Sequence, residues 1–160
     1  VDISPKVILN YLNYLSNAFM LYRVSRKDVH SKKIFEINHK YYFEDWGMRN
    51  ALLGLSHFSA PDVLENVVFS HLKTIGYSIS IGVIKNLEID FIAQKQNEQI
   101  YVQVAYLITD ESVKQREFGN LLQIQDNYPK YVVSLDPVEI GEYKGIKHLH
   151  LRKFLQKTKF

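Results

Sequence analysis

The sequence predicts an α/β protein, a mixed β-sheet flanked by helices with an α-β-β-β-α-β core. Three observations carry this. Three consecutive stretches between residues 77 and 105 alternate apolar and polar residues with period 2. Apolar arcs of helical period bracket them, before residue 76 and after residue 109, and a compact apolar strand follows the second arc. Consecutive strands can form an antiparallel meander, whereas strand–helix–strand demands a crossover and parallel pairing, so the sheet is expected to be mixed.

The elements follow in order. Ser4-Pro5 starts a helix, with Ser as N-cap and Pro in the first turn, where a missing N–H costs nothing. Val7, Ile8, Tyr11, Leu12, Leu15 and Phe19 form its apolar stripe, and Asn10, Asn13, Tyr14 and Asn17 fall together on the opposite face. Two extended pieces, Phe19 to Val24 and Lys33 to Ile37, are joined by the polar segment Ser25 to Lys32 and read as a hairpin. Arg23, Arg26, Lys27, Lys32 and Lys33 stand there against one acid, Asp28, giving the hairpin a basic tip. A helix followed by such a hairpin resembles the end of a winged-helix module. Lys40 to Asp45 reads as a short aromatic strand and Trp46 to Leu55 as a short helix, with residues 56–60 as the linker candidate.

From Pro61 a helix carries Val63, Leu64, Val67, Val68, Leu72 and Ile75 on a broad apolar arc and stops at Gly76. The three alternating strands are Tyr77 to Val83, Leu87 to Ala93 and Ile100 to Ala105. Thr109 or Asp110 caps a helix through about Ile124, with Val113, Phe118, Leu121 and Leu122 on its buried side. Tyr131 to Leu135 is an apolar strand, Ile146 to Leu151 a further one, and a short basic helix ends the chain.

Length and composition set limits on function. The 160 residues support roughly one domain of ~100–200 residues, with two small subdomains left open. Apolar residues make up 46% and charged residues 23%, a composition that can bury a core. Cysteine is absent, which excludes a disulfide framework, a thiolate zinc cluster and a cysteine nucleophile, and points to a cytoplasmic location. No run approaches the roughly 18–20 apolar residues of a membrane span, so no membrane partner is expected. The net charge is only +3, but residues 1–60 hold eight Lys/Arg against five Asp/Glu while the remainder is balanced, so the excess is local. No G-x-x-x-x-G-K-[ST] occurs, so this chain has no P-loop with which to cradle ATP. A first residue of Val, without a Met, suggests a fragment of a longer protein.

One constellation could carry chemistry. If the strands of Asp90 and Gln103 pair around Gln96-Asn97, position 90 falls opposite 103 and 88 opposite 105, and opposed residues share a face. Glu65, on the flank of its helix's apolar arc, can reach the same sheet edge. Metal-dependent phosphodiester cleavage needs carboxylates for Mg²⁺ and usually a Lys for the attacking water or the developing charge. Asp90 suits the first task, but Gln103 is neutral where an anion is wanted and Ala105 is uncharged where a cation is wanted. His148 and His150 have the spacing of two metal ligands on one strand, but without a third ligand nearby they are expected on an exposed sheet face.

Across nearly its whole length the chain resembles the C-terminal domain of unknown function of prokaryotic AAA+ superfamily ATPases. In that family a winged-helix remnant precedes a PD-(D/E)XK, restriction-endonuclease-like fold. The resemblance is carried by Lys40-Tyr41-Tyr42-Phe43-Glu44-Asp45 with Gly47 and Arg49-Asn50-Ala51-Leu52, by Leu64-Glu65-Asn66, and by Glu88-Ile89-Asp90-Phe91. Tyr101-Val102-Gln103-Val104-Ala105-Tyr106, Arg116-Glu117 and Asn127-Tyr128-Pro129-Lys130 complete it. It implies two parts, a winged-helix remnant with its connecting helix at 1–58 and the nuclease-like domain at 59–160. It also implies that Glu65, Asp90 and Gln103 stand at the catalytic positions, with Glu65 and Asp90 as the ligands of any Mg²⁺ and with Lys85, Lys95 or Lys130 as candidates for a displaced lysine.

The resulting expectation is an accessory module of an AAA+ ATPase whose nuclease motif is degenerate at Gln103 and Ala105, so that it binds DNA or protein without cleaving. A weak Mg²⁺-dependent nuclease using Glu65 and Asp90 is the alternative, and a module for protein–protein interaction alone is the third. ATP would belong to the upstream ATPase module. The partners implied are that module, double-stranded DNA and a second copy of the chain. DNA contact would come from Arg23, Arg26, Lys27, Lys32 and Lys33, with Asn10 and Asn13 offering amides to base edges. Five engaged cations would give a log affinity against log salt slope of about −4 to −5.

Overall fold

The computed structural model describes residues 3–54 and 58–160. Helix α1 spans Pro5–Asn17, strands β1 and β2 span Leu21–Asp28 and Ile34–Phe43, and α2 and α3 span Trp46–Leu53 and Ala60–Thr74. Strands β3 (Ser78–Ile84), β4 (Leu87–Lys95) and β5 (Glu98–Val104) lead to α4 (Glu111–Leu122). Strand β6 (Lys130–Ser134), the short β7 (Glu142–Tyr143), β8 (Ile146–His150) and α5 (Leu151–Leu155) follow. The protein is α/β, with one mixed eight-stranded sheet in the order β2-β1-β3-β4-β5-β6-β8-β7.

Local chemistry accounts for the helix ends. The side chains of Ser4, Asp45, Ser59 and Asp110 accept from backbone N–H groups of the first turns of α1, α2, α3 and α4, where four donors otherwise lack partners. Of the two caps the sequence left open for α4, Asp110 is the one used.

The β3–β4–β5 meander is antiparallel, and β4 and β5 pair from Phe91 opposite Val102 to Lys95 opposite Glu98, the register set by the expected turn, but the ladder ends before the expected pairs of 90 with 103 and 88 with 105. Chain crossovers then place β6 parallel to β5 and β8 parallel to β6. The hairpin read as a wing is part of the same sheet. Strand β1 runs antiparallel to β2 on one side and parallel to β3 on the other, so residues on both sides of the expected 58/59 boundary build one sheet. The linker expected at 56–60 lies largely outside the described residues, and Ala60 already belongs to α3.

The hairpin departs from expectation in a second way. The pieces Lys33 to Ile37 and Lys40 to Asp45 are one strand, β2, interrupted by an excursion. Lys40 pairs with Val24 and Phe35 with Arg26, so residues 36–39 stand opposite Ser25 alone. Asn38 takes a positive φ of 59° there, and its carbonyl accepts from Arg26 Nε at 2.6 Å.

Two apolar layers cover the two faces of the sheet. Val68, Phe69 and Leu72 of α3 and Phe154 of α5 pack with Phe91, Val102 and Tyr131 on one face. Phe118 and Leu121 of α4 pack with Ile89, Tyr101, Val132 and Ile146 on the other. Simple alternation along β4 would put Ile89 and Phe91 on the same face, yet they lie in different layers. A β-bulge is the reason. Ser80 pairs with Ile92 but Gly82 with Ile89, so Asp90 and Phe91 together oppose Ile81.

His148 also departs from the expectation of an exposed face, being 1% exposed. Its Nδ1 accepts from the Ile140 N–H at 2.9 Å and its Nε2 lies 2.8 Å from Ser134 Oγ, which in turn donates to Asp136. With Nδ1 accepting, the ring's proton belongs on Nε2, and burial pushes its pKa down. His150 instead caps α5, accepting from the Arg152 N–H. The two rings thus have separate structural tasks.

Candidate functional site

The polar cluster around β2, α3 and β4 is built from residues far apart in the sequence. Strand alternation puts Lys40 and Tyr42 on one side of β2, facing α3. Lys40 Nζ lies 2.9 Å from Glu65 Oε1 and 2.6 Å from Glu88 Oε1, and the Tyr42 hydroxyl donates to the same Glu65 oxygen. Arg26 of β1 pairs with the other Glu88 oxygen. Burial pushes the Lys40 pKa down, but the Glu65 and Glu88 carboxylates outweigh it and hold it raised. Burial likewise pushes Glu88 up, and the charges of Lys40 and Arg26 outweigh that and hold it low.

Asp90 sits deeper, where the bulge turns it toward β5. Its Oδ2 accepts from the Val104 N–H at 2.7 Å, just beyond the end of the β4–β5 ladder. Burial raises its pKa to about 8, and the Glu65 carboxylate adds to the rise. On the far side Gln103 is 8% exposed and donates from Nε2 to Glu117 Oε2 at 3.2 Å, while its own Oε1 has no partner. Arg116 holds the other Glu117 oxygen at 2.7 Å. A cavity of about 260 Å³ opens beside Lys40 and Glu65, with Trp46, Asp62 and Asn66 among its walls.

The sheet thus brings Glu65 and Asp90 into one electrostatic neighbourhood, as the sequence suggested, and sets Gln103 next to it through Glu117. Arg26, one of the cations expected to contact DNA, lies within β1 and is engaged with Glu88 and the Asn38 carbonyl. Arg23 is exposed but bonds His39 at 2.6 Å. Lys32 and Lys33 are exposed at the hairpin turn, with Lys27 half-buried behind them. Asn10 and Asn13 are exposed on α1.

The displaced-lysine candidates lie elsewhere. Lys95 Nζ donates to the Ile75 carbonyl at 2.7 Å, Lys130 Nζ to the Asp126 carbonyl at 2.6 Å, and Lys85 occupies the β3–β4 turn with a φ of 54°. The lysine beside the carboxylates is Lys40. Its signal was the alternation of Lys40 and Tyr42 in an aromatic strand, which marks two polar tips for one face. Glu117 was legible as an acid four positions after Val113 on the buried side of α4.

The residues in place do not suit a divalent cation. An ammonium already bridges two of the carboxylates, and the third tends to stay protonated. Among the described residues no group of three or more His, Asp or Glu side chains is arranged to hold a metal ion. Nor is any described helix long and apolar enough to cross a membrane.

This geometry defines an α/β protein with a half-buried carboxylate–ammonium cluster against a mixed sheet. An uncharacterized protein of Haemophilus influenzae is 37% identical over 155 residues, which cover 97% of this chain and 38% of that protein. An uncharacterized protein of Methanocaldococcus jannaschii is 33% identical over 119 residues, 72% of this chain and 26% of its own length. The chain therefore spans well under half the length of these relatives. No protein-family model matches it, and no solved structure does.

Proposed function

We propose that the chain is a restriction-endonuclease-like fold that has lost cleavage and serves as an accessory binding module of an AAA+ ATPase, acting on DNA or protein. One observation carries the reading. Lys40 Nζ bridges Glu65 and Glu88, so Glu65, one of the two carboxylates expected to hold a metal, is already paired with a protein cation. Gln103, at the position where such a site has an acid, gives its amide to Glu117. The greater length of the relatives agrees with a module attached to further polypeptide.

A second reading, a weak Mg²⁺-dependent nuclease using Glu65 and Asp90, draws on the same lysine, since Lys40 brings to the carboxylates the cation that Ala105 lacks. Incubation with plasmid and with single-stranded DNA in Mg²⁺ or Mn²⁺ separates the two. The accessory reading expects no cleavage. Cleavage that disappears in Asp90→Ala overturns it in favour of the nuclease.

A further inference from the structure

Helix α1 buries none of its residues. Ile3, just before the helix, and Val7, Ile8, Tyr11 and Tyr14 along it form a stripe between 40% and 65% exposed; Tyr14, expected with the asparagines on the opposite face, instead packs edge to face on Tyr11 at 6.4 Å. A helix of 13 residues is marginal in water unless an apolar face is packed, and here the face turned to β1 is only half-buried at Leu12 and Leu15. The stripe is therefore a surface in want of cover.

We propose that this face pairs with the same face of a second copy of the chain, the two α1 helices packing across a two-fold axis. Charge selects the occupant. Lys6 is the one charged residue of α1, so neither a polyanion nor an acidic or basic protein surface finds a complement there, whereas an uncharged stripe meets its own copy without repulsion. The polar neighbours Asn10 and Asn13 are exposed amides, each both donor and acceptor, and such groups can bond to their own symmetry mates. Area agrees. Five side chains at these exposures present on the order of 500 Å², enough for the apolar centre of a standard interface of about 800 Å² per partner with a polar rim. The pairing does not depend on whether the nuclease-like fold cleaves or binds DNA.

Sedimentation equilibrium of the 160-residue chain, from about 1 to 100 µM, tests it. The expected result is a concentration-dependent dimer whose dissociation constant rises at least tenfold in Tyr11→Lys and again in Val7→Lys/Tyr11→Lys. Both variants change side chains exposed in the single copy, so unchanged far-UV circular dichroism is expected and separates lost pairing from lost folding. Hydrogen exchange gives a readout without substitution, since α1 amides of the unmodified chain should exchange more slowly as concentration rises. A chain that stays monomeric throughout overturns the proposal and assigns the face to polypeptide outside these residues. A dimer that survives both variants overturns it as well, as does a monomer whose binding to double-stranded DNA is lost in Tyr11→Lys.

Discussion

Lys40 on β2 and Glu65 on α3 meet at 2.9 Å across 25 positions of sequence, and the same ammonium reaches Glu88 on β4 at 2.6 Å. One side chain thus ties three elements together at the end of the sheet. Replacing it by Met leaves Glu65 facing only the Tyr42 hydroxyl, and Glu88 only Arg26. Breaking a partly buried network of this kind is expected to cost about 1–3 kcal/mol, measured by urea unfolding at pH 7. Because the folded-state pKa of Glu88 is held low, its share of that stability is present at neutral pH and lost as pH falls through the folded value. The difference between Lys40→Met and the unmodified chain should therefore shrink in acid.

Asp90 has the opposite sign. Its folded pKa, raised to about 8, lies above the ordinary carboxyl value of 3.8, so between those values the folded state holds more protons than the unfolded one. This group's contribution to stability falls as pH rises from about 4 to about 8. Asp90→Asn keeps an oxygen for the Val104 N–H and removes the titration. Unfolding curves taken across that window should be flatter in the variant, which should also exceed the unmodified chain in stability at pH 8. An unchanged slope would show that Asp90 is ionised in the folded protein.

Gly82 pairs with Ile89, next to the bulge in β4. A Cβ placed there would lie 2.8 Å from Ile89 Cβ and 3.2 Å from Ile92 Cγ1, both in the buried layer beneath α4. Gly82→Ala is expected to lower stability by about 1–3 kcal/mol through overpacking. The melting temperature checks it, and Gly119→Ala, where a Cβ meets nothing within 4 Å, is the control.

The hairpin makes a prediction about DNA. Arg26 is held by Glu88 and Arg23 is bonded to His39, leaving Lys27, Lys32 and Lys33 as the cations nearest the turn. Three phosphate contacts imply a log affinity against log salt slope of about −3, shallower than five would give. Titrations of a DNA duplex from low to moderate salt should give that slope and lose it in Lys27→Ala/Lys32→Ala/Lys33→Ala. Arg26→Ala should instead lower stability and leave the slope unchanged.

Much of the core was legible because it rests on local rules. Ser4-Pro5 and Pro61 mark helix starts, Thr109-Asp110 marks the cap of α4, and the Gln96-Asn97 turn sets the register that pairs Phe91 with Val102. Where local rules compete with packing, reading failed. Alternation in β4 is broken by the bulge at Asp90 and Phe91, which nothing in the polar–apolar pattern announces. The spacing of His148 and His150 says nothing of Ile140 and Ser134, whose groups satisfy a buried ring.

By itself, then, the sequence determined the α/β class, the order of the meander and crossover elements, and the presence of Glu65 and Asp90 beside a neutral Gln103. Those properties follow from periodicity, capping and turn chemistry, each acting over a few residues. Only the tertiary structure decided that the basic hairpin pairs in parallel with β3, that Arg26 and Lys40 pair with Glu88 and Lys40 with Glu65, and that α1 buries none of its residues. These depend on which distant strands become neighbours, and a charge is spoken for or exposed only once its neighbours are in place.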